Sequence, residues 1–177
     1  MTIFEYLSIA ASIVLALALG KLASAIPYVF AKRKFDAVYS VLFISLFLGA
    51  MLQWWVVWQL NEYQDWSFAG FMLLMASPIV LFVTTHVLVS ESPAEVVRWQ
   101  TYLNEIHRLF FALLLLGLLL AYARGYYFHG ELPSLWAAIP FFAVVAGIVR
   151  SDRALLLAVG VIMVTGGILT GLTVKAD

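Results

Sequence analysis

The sequence predicts an all-α protein, a polytopic transmembrane helical bundle of six helices with both termini outside the cytoplasm. Four observations predict it. The chain is 64% hydrophobic and 11% charged, with a mean hydropathy of +1.01, where a soluble domain is about half apolar and a quarter charged. Apolar stretches recur six times, each near the roughly 20 residues that carry a helix across about 30 Å of hydrocarbon. Nothing alternates like a barrel strand, and backbone amides in lipid must be satisfied inside their own segment, so helices are what remain. Finally, Lys and Arg fall on alternate connections.

The first span is expected over 6–30. The N-terminal MTIFEYLSIAAS has no positive stretch before its apolar run, which reads as a retained helix and not a cleaved signal. Its Ser8, Ser12, Ala16, Gly20 and Ser24 recur every four residues, a small-residue row of the kind that lets membrane helices approach closely, which points to a central helix or a subunit contact. The second span, 37–60, closes on LQWWVVWQL, and the third, 67–89, opens just after DW and contains Pro78, a residue that kinks helices. A fourth is predicted over 93–125. Its membrane part is 106–125, and Ser92-Pro93-Ala94-Glu95 has the pattern of a capping box that would start a cytoplasmic helical extension at Pro93. The fifth, 133–149, is short and carries Pro140, with Ala143 and Gly147 spaced as small residues; the sixth, 154–173, holds Gly167 and Gly171. No stretch is left for a separate soluble domain, so 1–177 is one bundle.

Orientation follows from charge. The connections after helices one, three and five hold Lys32, Arg33, Lys34, Arg98, Arg108, Arg150 and Arg153, whereas the other side holds Arg124 and Lys175. Lys and Arg accumulate on the cytoplasmic side of bacterial membranes. The three basic connections are therefore expected inside.

Zero formal net charge and the absence of a basic tract give no reason to expect nucleic acid as a partner. No Cys is present, which excludes disulfides, thiolate metal sites and cysteine nucleophiles. No Ser/His/Asp set, HExxH, Walker loop or acidic pair occurs, so an enzyme is not expected. Membrane lipids and other membrane proteins, including further copies of the chain, are the partners such a composition implies.

The cluster Trp54, Trp55, Trp58 and Trp66 lies at the junction of helices two and three. An indole, apolar with one N–H, is most comfortable at headgroup depth, so these residues read as an interfacial belt. Trp54 and Trp58, four apart on one face, keep open a ligand-stacking role. Lys21 is the one ionisable residue expected well inside the hydrocarbon, where a charge costs about 2.5 to 3.5 kcal/mol on insertion scales. Counting depth at 1.5 Å per residue places Ser45, Thr84, Thr85 and His86 in the same layer. A cation among hydroxyls, with no acid at that depth, would suit an anion or polar solute; a lysine bonded to carbonyls, or reaching out to the headgroups, is the structural alternative. His86 and His107 stand near the inner boundary and are the residues that would ligate a haem if one were bound. No metal site or other cofactor is expected.

FEYLSIAASIVLALALGKL at the start, LQWW at the end of the second helix and YLNEIHRLFF at the entry to the fourth resemble a family of small, uncharacterised bacterial multi-pass inner-membrane proteins of about six helices. The likeness covers roughly the first 120 residues. It implies a bacterial cytoplasmic membrane and carries no activity with it. Two functions stand in front: a small channel or transporter for an anion or polar solute passing Lys21, and a non-catalytic scaffold or accessory subunit that binds partner proteins. A haem-binding redox subunit is a third. A transporter needs a wet polar path to Lys21, whereas a scaffold can be packed dry and present its small-residue faces outward.

Overall fold

The structure, a computed structural model, describes residues 3–130 and 138–173, with side chains described as far as Leu169. Every regular element among the described residues is helical: α1 (Ile3–Val29), α2 (Ala37–Trp58), α3 (Phe68–Leu88), α4 (Trp99–His129), α5 (Ala138–Val149) and α6 (Arg153–Thr173). The first four are long and apolar enough to cross a membrane. The fifth is short, at 12 residues, and the apolar run of α6 covers Arg153–Leu169. The predicted start of helix five at 133 lies outside the described residues.

Helix ends are set by local chemistry. Asp36 and Ser67 cap α2 and α3, each side chain accepting a bond from the amide three residues on, which satisfies donors that a helix leaves open. Helix α4 ends on Gly130 at φ 68°, a left-handed conformation that suits glycine because it has no Cβ to clash. Its start corrects the sequence reading. Residues Ser92 to Glu95 form only a turn, with the Glu95 amide donating to the Ser92 carbonyl at 3.0 Å, and the helix begins at Trp99 with no side-chain cap from Arg98. A tertiary contact explains why the capping pattern yields. Lys34 Nζ donates to the Ala94 carbonyl at 2.7 Å, an oxygen that a helix from Pro93 would have kept for the amide of Arg98.

Around the bundle the order is α1, α3, α4, α5, α6, α2, with α2 also touching α3 and α4 across the middle. Helix α1 lies on the perimeter, not at the centre. Its buried face is Phe4, Leu7, Ala11, Leu15, Ala18, Leu22, Ala25 and Val29, a spacing of three and four that keeps one stripe turned to its neighbours. The alanines, seven apart, admit α3 and α2 closely. The small-residue row is a different face: Ser8 and Ser12 are half-buried, whereas Ala16, Gly20 and Ser24 are exposed.

Hydrocarbon tails are as apolar as leucine, so helices in lipid are held by close packing and polar contacts more than by burial alone. Glycine supplies the closeness at two pairs. A Cβ at Gly160 would stand 2.7 Å from Val41 Cγ1 and one at Gly167 2.9 Å from Leu52 Cδ1, which seats α6 against α2. Gly147 lies under the Phe111 ring, where an added Cβ would be 3.0 Å away, and so joins α5 to α4. Gly171 lies among the residues whose side chains are not described.

Candidate functional site

The loops after α1, α3 and α5 meet at one end of the bundle. Asp36 Oδ1 accepts from the Tyr39 amide at 2.9 Å while its Oδ2 accepts from Arg153 Nη2 at 2.6 Å, so one carboxylate caps α2 and holds the start of α6. Trp99, fully buried, stacks on Tyr39 with ring centroids 4.4 Å apart. Its indole Nε1 donates to the Tyr28 carbonyl at 3.2 Å, at the end of α1. The Tyr39 and Tyr102 hydroxyls donate to the carbonyls of Leu88 and Val87, at 2.7 and 2.9 Å. These are carbonyls from the last turn of α3, which have no partner further along the helix. Five helix ends, those of α1, α2, α3, α4 and α6, are thereby tied through three aromatic side chains and one carboxylate. The sequence reading missed this lock, because Tyr39 and Trp99 stand alone in their segments and carry no spacing signal.

Lys21 sits just inside that end. Its Nζ is 3.3 Å from Glu91 Oε1, with the lysine side chain 20% exposed and the carboxylate 80% exposed. The acid comes from the α3–α4 connection, so counting depth along helices does not find it. Lys21 thus reaches toward the C-terminal end of its helix, and the four-carbon stem overcomes the opposite tilt of the Cα–Cβ bond.

The other residues of the expected polar layer, Thr85 excepted, have partners of their own. Ser45 Oγ donates to the Val41 carbonyl at 2.7 Å and lies 3.0 Å from the Gly160 carbonyl, which turns it toward α6. Thr84 returns its hydroxyl to the Val80 carbonyl at 2.7 Å. Thr85 is fully buried and its hydroxyl has no hydrogen-bond partner. His86 Nδ1 is 3.0 Å from the Phe82 carbonyl oxygen, with its ring on Phe82, and His107 Nδ1 is 2.8 Å from the Asn104 carbonyl oxygen. Each imidazole is therefore engaged by its own helix. Among the described residues no group of three or more His, Cys, Asp or Glu side chains could hold a metal ion.

At the opposite end the tryptophans divide. Trp54, Trp55 and Trp58 are exposed on the outside of α2, and Trp54 and Trp55 line a shallow apolar groove of about 400 Å³ against Gly167 and Ile168 of α6. Trp66 instead packs inward between Phe4, Tyr63 and Phe128, with ring centroids 6.4, 5.3 and 5.7 Å away. Its Nε1 is buried without a hydrogen-bond partner. The cluster therefore combines outward-facing indoles with a packed aromatic plug.

Arg124, counted in the sequence among the basic residues of the side opposite the cytoplasm, is buried. Only 7% of it is exposed, and its Nη1 has no hydrogen-bond partner. Gln53 Nε2 and Ser77 Oγ are likewise buried and unpartnered. Compared with protein-family models, with curated proteins and with solved structures, the chain finds no match.

Proposed function

We propose that the chain is a multi-pass subunit of a bacterial cytoplasmic membrane, a non-catalytic scaffold that receives a helix of a partner membrane protein. The observation that carries this reading is the division of polar and small residues around α1. Lys21, the cation that a solute path would use, is neutralised by Glu91, and the Ser45 and Thr84 hydroxyls expected beside it are bonded to carbonyls of their own or of a neighbouring helix. Ala16, Gly20 and Ser24 meanwhile face outward, and a Cβ added at Gly20 would meet nothing within 4 Å. Without side chains in the way, a second backbone can approach there closely, which is how helices associate in lipid.

The gathering of Lys34, Asp36, Glu91, Ala94 and Arg153 at one end supports an alternating path in which all six helices cross, α5 and α6 among them. It agrees with basic connections in the cytoplasm and termini outside. The test of the scaffold is cross-linking. Because the chain has no cysteine, a single thiol at Gly20 is unambiguous, and a cross-linker there should trap one reproducible membrane protein that a thiol at Met72, on the exposed face of α3, does not. In the chain that carries this thiol, Ala16→Leu or Ser24→Leu on the same exposed face should abolish the product while leaving the fold intact. The competing transport reading would take over if liposomes showed an anion flux that disappears in Lys21→Met.

A further inference from the structure

The end of the bundle that carries the tryptophans holds a layer of unpaired hydrogen-bond donors. Its members are found from the apolar cluster Phe4, Leu7, Val57, Leu60 and Leu74, against which Trp66 and Phe128 pack. Gln53 is one turn before Val57 on α2, Ser77 one turn beyond Leu74 on α3, and Arg124 one turn before Phe128 on α4. Residues three and four apart share a helical face. All three therefore continue the faces that the cluster occupies, one turn deeper.

Contacts between α3 and α4 fix their depth. Gly70 lies against Tyr127 and Phe128, and Gly117 faces Val80. Between those crossing points Ser77 falls opposite Leu120 and Ala121, one turn toward the N-terminus from Arg124. Long helical side chains lean toward their helix N-terminus, which carries the Arg124 guanidinium toward the depth of Ser77.

The chemistry of this layer is one-sided. Arg124 brings five N–H donors and no acceptor, and its Nη1 finds no partner. Gln53 contributes an unpartnered amide N–H₂, Ser77 an unpartnered hydroxyl and Trp66, in the plug above, an unpartnered indole N–H. Turning the Gln53 amide end for end would offer one neutral acceptor and leave the positive charge uncompensated. A guanidinium on a side chain only 7% exposed, with one nitrogen buried and unpartnered, is best met by a counter-charge with several acceptor lone pairs.

We propose that Arg124, with Gln53 and Ser77, binds an oxyanion, the phosphate group of a phospholipid headgroup or free phosphate, entering at the tryptophan-bearing end. The guanidinium forks onto two oxygens, and the amide and hydroxyl donate to the others. This site is distinct from the outward face of α1 and does not depend on the scaffold role.

The experiment uses the full chain in dodecyl maltoside micelles, a detergent without phosphate, with the thermal unfolding midpoint followed by tryptophan fluorescence. Inorganic phosphate and, separately, phosphatidylglycerol added to the micelles are the two probes. A saturable rise with phosphate assigns the site to a free anion, and a rise only with phosphatidylglycerol assigns it to a lipid. In either case Arg124→Met should abolish the response, Lys21→Met should retain it, and Ser77→Ala should weaken binding by roughly ten- to a hundredfold, the equivalent of one hydrogen bond to a charged group. Without either probe, Arg124→Met should be at least as stable as the parent, because an uncompensated charge has gone. Should Arg124→Met fail to fold, the Ser77→Ala shift decides. The proposal is overturned if neither probe stabilises the parent, or if the response survives in Arg124→Met or is unchanged in Ser77→Ala.

Discussion

Asp36 performs two separable tasks with its two oxygens, so substitutions there partition the lock at the charged end. Asp36→Asn keeps an acceptor for the Tyr39 amide and removes the charge that Arg153 meets at 2.6 Å. A charge-assisted bond is worth about 1.5 to 3 kcal/mol when shielded, but the Arg153 side chain is 45% exposed, and exposed pairs contribute about 0.2 to 1 kcal/mol. With the carboxylate itself buried, the upper part of that exposed range applies, about 1 kcal/mol for Asp36→Asn. Asp36→Ala removes the cap as well, and a lost N-cap adds about 1 kcal/mol, for a total near 2 kcal/mol. The assay is equilibrium unfolding of the full chain in mixed micelles on titration with sodium dodecyl sulfate. Arg153→Met should match Asp36→Asn, and the double variant should be no worse than either, because both delete the same pair. If Asp36→Asn costs as much as Asp36→Ala, the cap contributes nothing. If both are neutral, the carboxylate does not hold α6 to α2.

Trp99 is the next test of that lock: Trp99→Phe preserves a ring on Tyr39 but deletes the bond to the Tyr28 carbonyl, and should cost about 1 kcal/mol. Trp99→Ala empties a fully buried site and should cost about 3 to 5 kcal/mol, both measured by the same titration. Gly160→Ala places a methyl 2.7 Å from Val41 and should destabilise by about 1 to 3 kcal/mol as α6 is pushed off α2. Gly20→Ala, which meets nothing, should be neutral or slightly stabilising; equal losses for the two glycines would refute the assignment of faces. Lys21→Met removes a partner that a mostly exposed Glu91 replaces with water, so its stability should change by less than about 1 kcal/mol, and a larger loss would mean that Lys21 holds more than this pair.

The sequence by itself determined the class of the protein, its number of helices and most of their limits. Those properties rest on runs of apolar residues and on cap chemistry, which are local: the charges of KRK interrupt the apolar run between α1 and α2, and Asp36 then caps α2. It located the small residues too, but a repeat of four does not say which way a face turns. On α1 the Ala16, Gly20 and Ser24 part of that row points outward, while the alanines seven apart carry the packing. Tertiary structure alone decided the rest. Where Pro93 would begin a helix, Lys34 draws the Ala94 carbonyl aside, a contact across 60 positions that no local pattern records. Lys21 finds its counter-ion 70 positions away. Arg124, which by position lies near a helix end, is only 7% exposed all the same. Whether a charge meets water, a carboxylate or nothing depends on which chains surround it, and that is fixed only when the helices dock.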